Sequence, residues 1–230
     1  MSIAGNLIQI KERIRTAALR SGRNPDSVKL VAVSKTQPAD AVKAALDAGQ
    51  QLFGENYVQE FLDKAQQLPT SVEWHFIGSL QSNKVKYLAG LTTLIHSVDR
   101  LSLARELDRQ WQKTGKPCDI LLQVNISGEE SKSGTTSENL LQLAQEVALL
   151  PHLRIRGLMT MPPFFDEPER VRPYFRELKR LAELLASEQI PGVTMEELSM
   201  GMSGDFEVAI EEGATLVRVG SAIFGERYYR

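Results

Sequence analysis

The 230-residue chain is 42% hydrophobic and 24% charged, the balance of an ordinary globular fold with room for one large α/β domain or two small ones. Its 27 basic and 29 acidic side chains leave a formal charge of −2, so no global field draws it to nucleic acid or anionic lipid, and any anion site has to be local. A single cysteine, Cys118, excludes an internal disulfide, and with no stretch of about 18 apolar residues and no leader-like start the expected address is the cytoplasm.

An amphipathic helix opens the chain, with Ile3, Leu7, Ile10 and Ile14 on one side. Short β-branched or aromatic runs then alternate with stretches of helical spacing, the pattern of parallel β/α units. The first predicted strand is 29–33, followed by a helix over 39–48. A short strand at 51–53 leads into a helix carrying Val58, Phe61, Leu62 and Ala65. Further strands are predicted at 74–77, 94–98, 120–126 and 155–161, weakly near 197–199, and at 216–219. No repeat or Pro/Gly/Ser-rich linker divides the chain. Eight strands separated by helices predict a closed (β/α)8 TIM barrel with an extra N-terminal helix, occupying 1–230 as a single domain; an open doubly wound sheet is the competing topology.

In such a barrel the chemistry sits at the carboxyl ends of the strands and in the loops that follow. Lys35 closes the run Leu30-Val31-Ala32-Val33-Ser34-Lys35, and a lysine held at the end of a buried strand is the residue type that condenses with a carbonyl group. Strand parity gives Lys35 the face of Val31 and Val33, toward the barrel mouth. It puts Gln123 and Asn125 on one face and turns Leu122 and Val124 toward the helices.

Gly201-Met202-Ser203-Gly204 offers small residues and a hydroxyl to an anion. Arg218 leads into Gly220-Ser221, where a helix start would expose N–H groups. Both stretches follow the last two strands, where barrels often hold phosphate. Each feature also has an ordinary reading: Lys35 as a solvated charge, Arg218 as half of a buried ion pair, Asn56 as a helix cap, Asn125 as a local backbone partner.

Other chemistries find little support. His75, His96 and His152 lack metal-ligand spacing and read as core or surface residues, and Cys118 has no nucleophile pattern. Met159, Met161, Met200 and Met202 read as gap-filling core, and Lys84-Val85-Lys86 as a solvated helix face. No nucleotide P-loop or dinucleotide fingerprint is present.

Taken together, Ala32-Val33-Ser34-Lys35-Thr36, Phe53-Gly54-Glu55-Asn56-Tyr57-Val58-Gln59-Glu60, Trp74-His75-Phe76-Ile77-Gly78-Ser79-Leu80-Gln81-Ser82-Asn83-Lys84, Gly157-Leu158-Met159, Leu198-Ser199-Met200-Gly201-Met202-Ser203 and Val217-Arg218-Val219-Gly220-Ser221-Ala222-Ile223-Phe224-Gly225 resemble the pyridoxal phosphate homeostasis protein family. They occur in the family's order and span nearly the whole chain. The resemblance implies a fold type III barrel of the alanine racemase kind, holding pyridoxal 5′-phosphate (PLP) as a Schiff base on Lys35. It also implies that Arg218 faces the pyridine nitrogen and that Ser203 binds the phosphate with the amides of Gly220 and Ser221. Asn56 would lie close to the cofactor, and Met159 would help line its pocket. It assigns no metal and no catalytic residue.

PLP withdraws electrons best with its ring nitrogen protonated, and a cation such as Arg218 disfavours that proton. Racemases resembling this barrel add a second β domain whose tyrosine serves the opposite face. Here the sequence stops at Tyr228-Tyr229-Arg230, and those tyrosines read as surface residues. The resemblance thus implies a protein of vitamin B6 homeostasis that buffers PLP and hands it to apo PLP-dependent enzymes, and with no long apolar arm or dimerising domain in the sequence a monomer is expected. The alternatives are an enzyme with slow amino-acid racemase, decarboxylase or lyase activity, and a regulatory protein whose PLP state a partner reads.

Overall fold

A computed structural model describes residues 2–129 and 131–225. Strands β1 (Lys29–Val33), β2 (Leu52–Glu55), β3 (Glu73–Phe76), β4 (Leu94–Val98), β5 (Cys118–Val124), β6 (Leu153–Thr160), β7 (Val193–Ser199) and β8 (Leu216–Val219) are parallel neighbours in that order. β8 pairs back onto β1, with Arg218 opposite Val31, so the barrel closes and the open doubly wound sheet is excluded.

Around it run α1 (Ile3–Arg20), α2 (Ala39–Asp47), α3 (Val58–Gln67), α4 (Leu101–Trp111), α5 (Leu140–Ala148), α6 (Arg172–Ser187), α7 (Phe206–Glu211) and α8 (Ser221–Phe224). The helix predicted through Lys84 and Lys86 is instead a 3₁₀ segment, Ser82–Tyr87. There Val85 is buried and both lysines remain exposed. α1 is capped by Ser2, whose hydroxyl accepts from the Gly5 N–H, and it buries Leu7, Ile10 and Ile14 while packing on α7 and α8.

Alternation along the strands builds two apolar layers. Leu30, Ala32, Leu122 and Val124 face the helical shell, as parity predicts. Val31, Leu52, Leu94, Leu121, Met159 and Leu216 fill the barrel interior. β2 runs past its predicted end because Gly54 and Glu55 pair with His75 and Phe76. β5 and β6 each begin two residues early, at Cys118 and Leu153, which pair with each other. β7 reaches back to Val193, where exposed Thr194 and Glu196 dilute its apolar pattern.

The barrel interior also contains a histidine pair, His96 Nε2 lying 2.9 Å from His75 Nδ1. Burial keeps both imidazoles neutral, pushing His75 down to about 3 and His96 well below its ordinary value. Unfolded imidazoles titrate near pH 6.5, so between roughly pH 6.5 and 3 the unfolded chain binds protons that the folded barrel does not, and stability falls as pH falls. The loss is expected to reach about 1.4 kcal/mol per pH unit for each histidine. Urea unfolding at stepped pH checks this: His75→Gln should show a shallower acid loss than the parent chain.

Candidate functional site

The carboxyl ends of the strands surround a cavity of about 240 Å³, lined among others by Lys35, Asn56, Met161, Ser203, Arg218, Gly220 and Ser221. Lys35 reaches it from a turn closed by the Gln37 N–H, which donates to the Ser34 carbonyl at 3.0 Å. Thr36 sits at φ 65°, a left-handed conformation uncommon for a β-branched residue. Its N–H donates to Glu60 Oε2 at 2.8 Å.

Behind this turn the buried Glu55 carboxylate accepts from Ser34 Oγ at 2.7 Å and pairs with Lys64 Nζ at 2.6 Å. Lys64 Nζ also donates to the Ser34 carbonyl at 2.6 Å. Burial pushes the Glu55 carboxyl up, while Lys64 and Ser34 draw it back down. Residues of β2 and α3 therefore fix the backbone on both sides of Lys35.

Arg218 is only 4% exposed. Its Nη1 donates to Ser199 Oγ at 2.5 Å and its Nη2 to the Thr160 carbonyl at 2.9 Å. Burial lowers its pKa to about 10, opposed by the field of Asp205, so the guanidinium stays cationic at neutral pH. Among the described residues no carboxylate forms an ion pair with it, so its ordinary reading as half of a buried ion pair gives way to neutral partners. Burial also pushes the Asp205 carboxyl up, opposed first by the Met202 N–H that it accepts at 2.6 Å.

Across the mouth, Ser203 Oγ accepts from the Gly220 N–H at 3.3 Å, which seats the loop after β7 on the start of α8. A Cβ on Gly220 would stand 3.1 Å from the Val33 carbonyl oxygen, so a larger residue would push this turn off β1. In the first turn of α8 the Ile223 and Phe224 N–H groups donate to the Gly220 carbonyl at 2.9 and 3.0 Å, which leaves those of Ser221 and Ala222 for an anion.

Asn56 does not cap α3: Tyr57 holds that position without a side-chain bond. Its Oδ1 is buried without a hydrogen-bond partner in the cavity wall. Met159 lies deeper than expected, fully buried with Leu121 and Leu216 in the barrel interior. Two residues along the same face, 42% exposed Met161 forms the wall instead, together with Met202. Of the four methionines, then, only Met159 and Met200 are core.

Asn125 serves its own loop, with Nδ2 donating to the Glu129 carbonyl and Oδ1 accepting from the Gly128 N–H. Cys118 is buried and its thiol pushed well up, against a nucleophilic role. Among the described residues no group of three or more potential ligands could hold a metal, and no helix is long and apolar enough to cross a membrane. Tyr228 and Tyr229 lie outside the described residues. The sequence assigns no site role to Ser199, Thr160, Glu55 or Lys64, although Ser199 and Glu55 stand in segments at strand ends. Ser199 alone carries a further signal, through its inward parity with Glu197 on β7.

Fold and site together define a class, the (β/α)8 barrel that forms the alanine racemase N-terminal domain, and the sequence pattern of that domain matches residues 6–228. The chain is 48% identical over 230 residues to the pyridoxal phosphate homeostasis protein of Aquifex aeolicus, with 100% of each covered. It is 47% identical over 231 residues to that of Escherichia coli, covering 99% of this chain and 97% of that protein. It belongs to the pyridoxal phosphate homeostasis protein family. Among solved structures it is similar to PipY of Synechococcus elongatus with PLP bound, at a TM-score of 0.83 and 37% identity, covering 97% of this chain and 100% of the PipY chain.

Proposed function

We propose that this protein serves vitamin B6 homeostasis in the cytoplasm, holding PLP through a Schiff base on Lys35 and releasing it to apo PLP-dependent enzymes. The observation that carries the reading is the convergence of three unlike groups on one cavity. They are an amine from the end of β1, a fixed guanidinium on β8, and the hydroxyl of Ser203 beside the amides of Gly220 and Ser221. These fit the aldehyde, the ring nitrogen and the phosphate of PLP respectively. The buried Oδ1 of Asn56 adds an acceptor in the cavity wall. The names of the Aquifex and Escherichia relatives and the PLP in PipY support the same assignment.

Lys35 would hold PLP through its amine by condensing with the aldehyde, with water as the leaving group. When bound, PLP supplies an electron sink for amino-acid chemistry. Arg218 works against that use, because a permanent cation beside the ring nitrogen disfavours its protonation. The residues are thus better suited to holding the cofactor than to turning over an amino acid, and the hydrolysable bond on Lys35 permits release. We further propose that residues 1–230 act as one domain and as a monomer, a state that sedimentation velocity with and without PLP measures directly.

Titration with PLP tests the binding reading. The parent chain is expected to develop visible absorption, and Lys35→Ala to lose it and to bind at least about tenfold more weakly. Equal spectra and affinities for the two proteins would sink the proposal.

A further inference from the structure

Four strands contribute to a row of polar side chains beneath the cavity, in a barrel layer that apolar residues ordinarily fill. Arg218 Nη1 donates to Ser199 Oγ at 2.5 Å, and Ser199 Oγ lies 2.8 Å from His96 Nδ1. His96 Nε2 lies 2.9 Å from His75 Nδ1. Ser199 and His96 are completely buried, and His75 is 7% exposed.

We propose that Ser199, His96 and His75 are positioning residues for Arg218, forming a one-way chain of hydrogen bonds that holds its guanidinium cationic and in one orientation at the cavity floor. Its role toward PLP rests on the function proposed above; its direction does not.

The direction follows from counting protons. A guanidinium only donates, so Ser199 Oγ accepts from Arg218 and its own hydroxyl proton needs an acceptor. His96 Nδ1 supplies it, which leaves the proton of this neutral imidazole on Nε2. That proton is donated to His75 Nδ1, so His75 also carries its proton on Nε2. The reverse order would make Ser199 accept twice and leave a buried hydroxyl proton without a partner, a costly arrangement.

Electrostatics selects the same direction. In the forward order each hydroxyl or imidazole turns its negative end toward Arg218, stabilising a cation that has no ion-paired carboxylate among the described residues. The positive charge at the cavity floor is thus maintained by neutral groups reaching across the barrel.

Nitrogen-15 NMR of histidine-labelled protein without cofactor tests the direction. With the third imidazole removed by His152→Gln, the expected result at neutral pH is that His75 and His96 are both neutral and protonated on Nε2. A protonated imidazole, or an Nδ1–H form at either residue, overturns the chain. The positioning role is tested with His96→Gln, whose amide can accept from Ser199 and donate to His75, against His96→Leu, which can do neither.

His96→Leu should weaken PLP binding about tenfold and shift the absorption of the bound cofactor, and His96→Gln should restore both to within about threefold of the parent affinity. Parent-like affinity and absorption in a folded His96→Leu would overturn the positioning role. Failure of the unmodified protein to bind PLP would remove the cofactor reading and with it this role toward PLP, while the tautomers would still decide the direction.

Discussion

Lys64→Met is expected to lower the free energy of unfolding by about 3–5 kcal/mol, because it removes one partner of a buried ion pair and leaves the other charge behind. The Glu55 side chain is fully buried and that of Lys64 is 6% exposed, with 2.6 Å between Nζ and Oε1. Without the ammonium, Glu55 keeps only the Ser34 hydroxyl as a partner in the described network.

Its carboxyl, already raised by burial, should then titrate higher still. A carboxylate whose folded pKa exceeds its unfolded value destabilises the fold above that pKa, so the deficit relative to the parent should shrink on acidification. Replacing Glu55 by leucine in the same protein should recover most of the loss, since an apolar pair costs no charge desolvation. Urea unfolding at pH 7.5 and 5.5 would measure all three effects. A deficit below about 1 kcal/mol would mean that this pair is not what holds the turn around Lys35.

Gly157→Ala should be the most damaging of the small substitutions. Gly157 marks the point where β6 shifts register against both β5 and β7, and a Cβ there would stand 1.7 Å from the Glu197 carbonyl oxygen. Backbone rather than a flexible side chain occupies that space, so β6 and β7 must separate, at a cost of at least about 3 kcal/mol. The damage should reach the site as well, because the same ladder aligns Met159 with Ser199, the acceptor of Arg218. Denaturant unfolding should therefore show a large stability loss, and PLP binding should weaken alongside it. An alanine variant within about 1 kcal/mol of the parent would show that the strands accommodate the methyl group by sliding.

The barrel is legible in the sequence because the strands other than β7 carry short β-branched, aromatic or aliphatic runs and the longer helices an apolar stripe. Strand ends are less so, since pairing partners rather than residue preference extend β2 through Gly54 and Glu55. The segment at Ser82–Tyr87 misleads because buried Val85 with flanking exposed lysines suits one turn of either helix type.

Lys35, Arg218 and Ser203 are legible for a different reason: a charge or hydroxyl at a strand end is conspicuous against apolar neighbours. The residues that hold them are not. Lys64 meets Glu55 across nine positions, and His96 meets Ser199 across 103, separations that leave no periodic trace. Only the resemblance places Met159 in the pocket, and it lies on the same face of β6 as Met161 but deeper, so Met161 takes the wall.

The most direct test of the account is borohydride reduction of the PLP-loaded protein followed by peptide mapping by mass spectrometry. The account predicts a pyridoxyl group on the peptide containing Lys35 and on no other lysine. An unmodified Lys35, or label spread over exposed lysines such as Lys84 and Lys86, would contradict it.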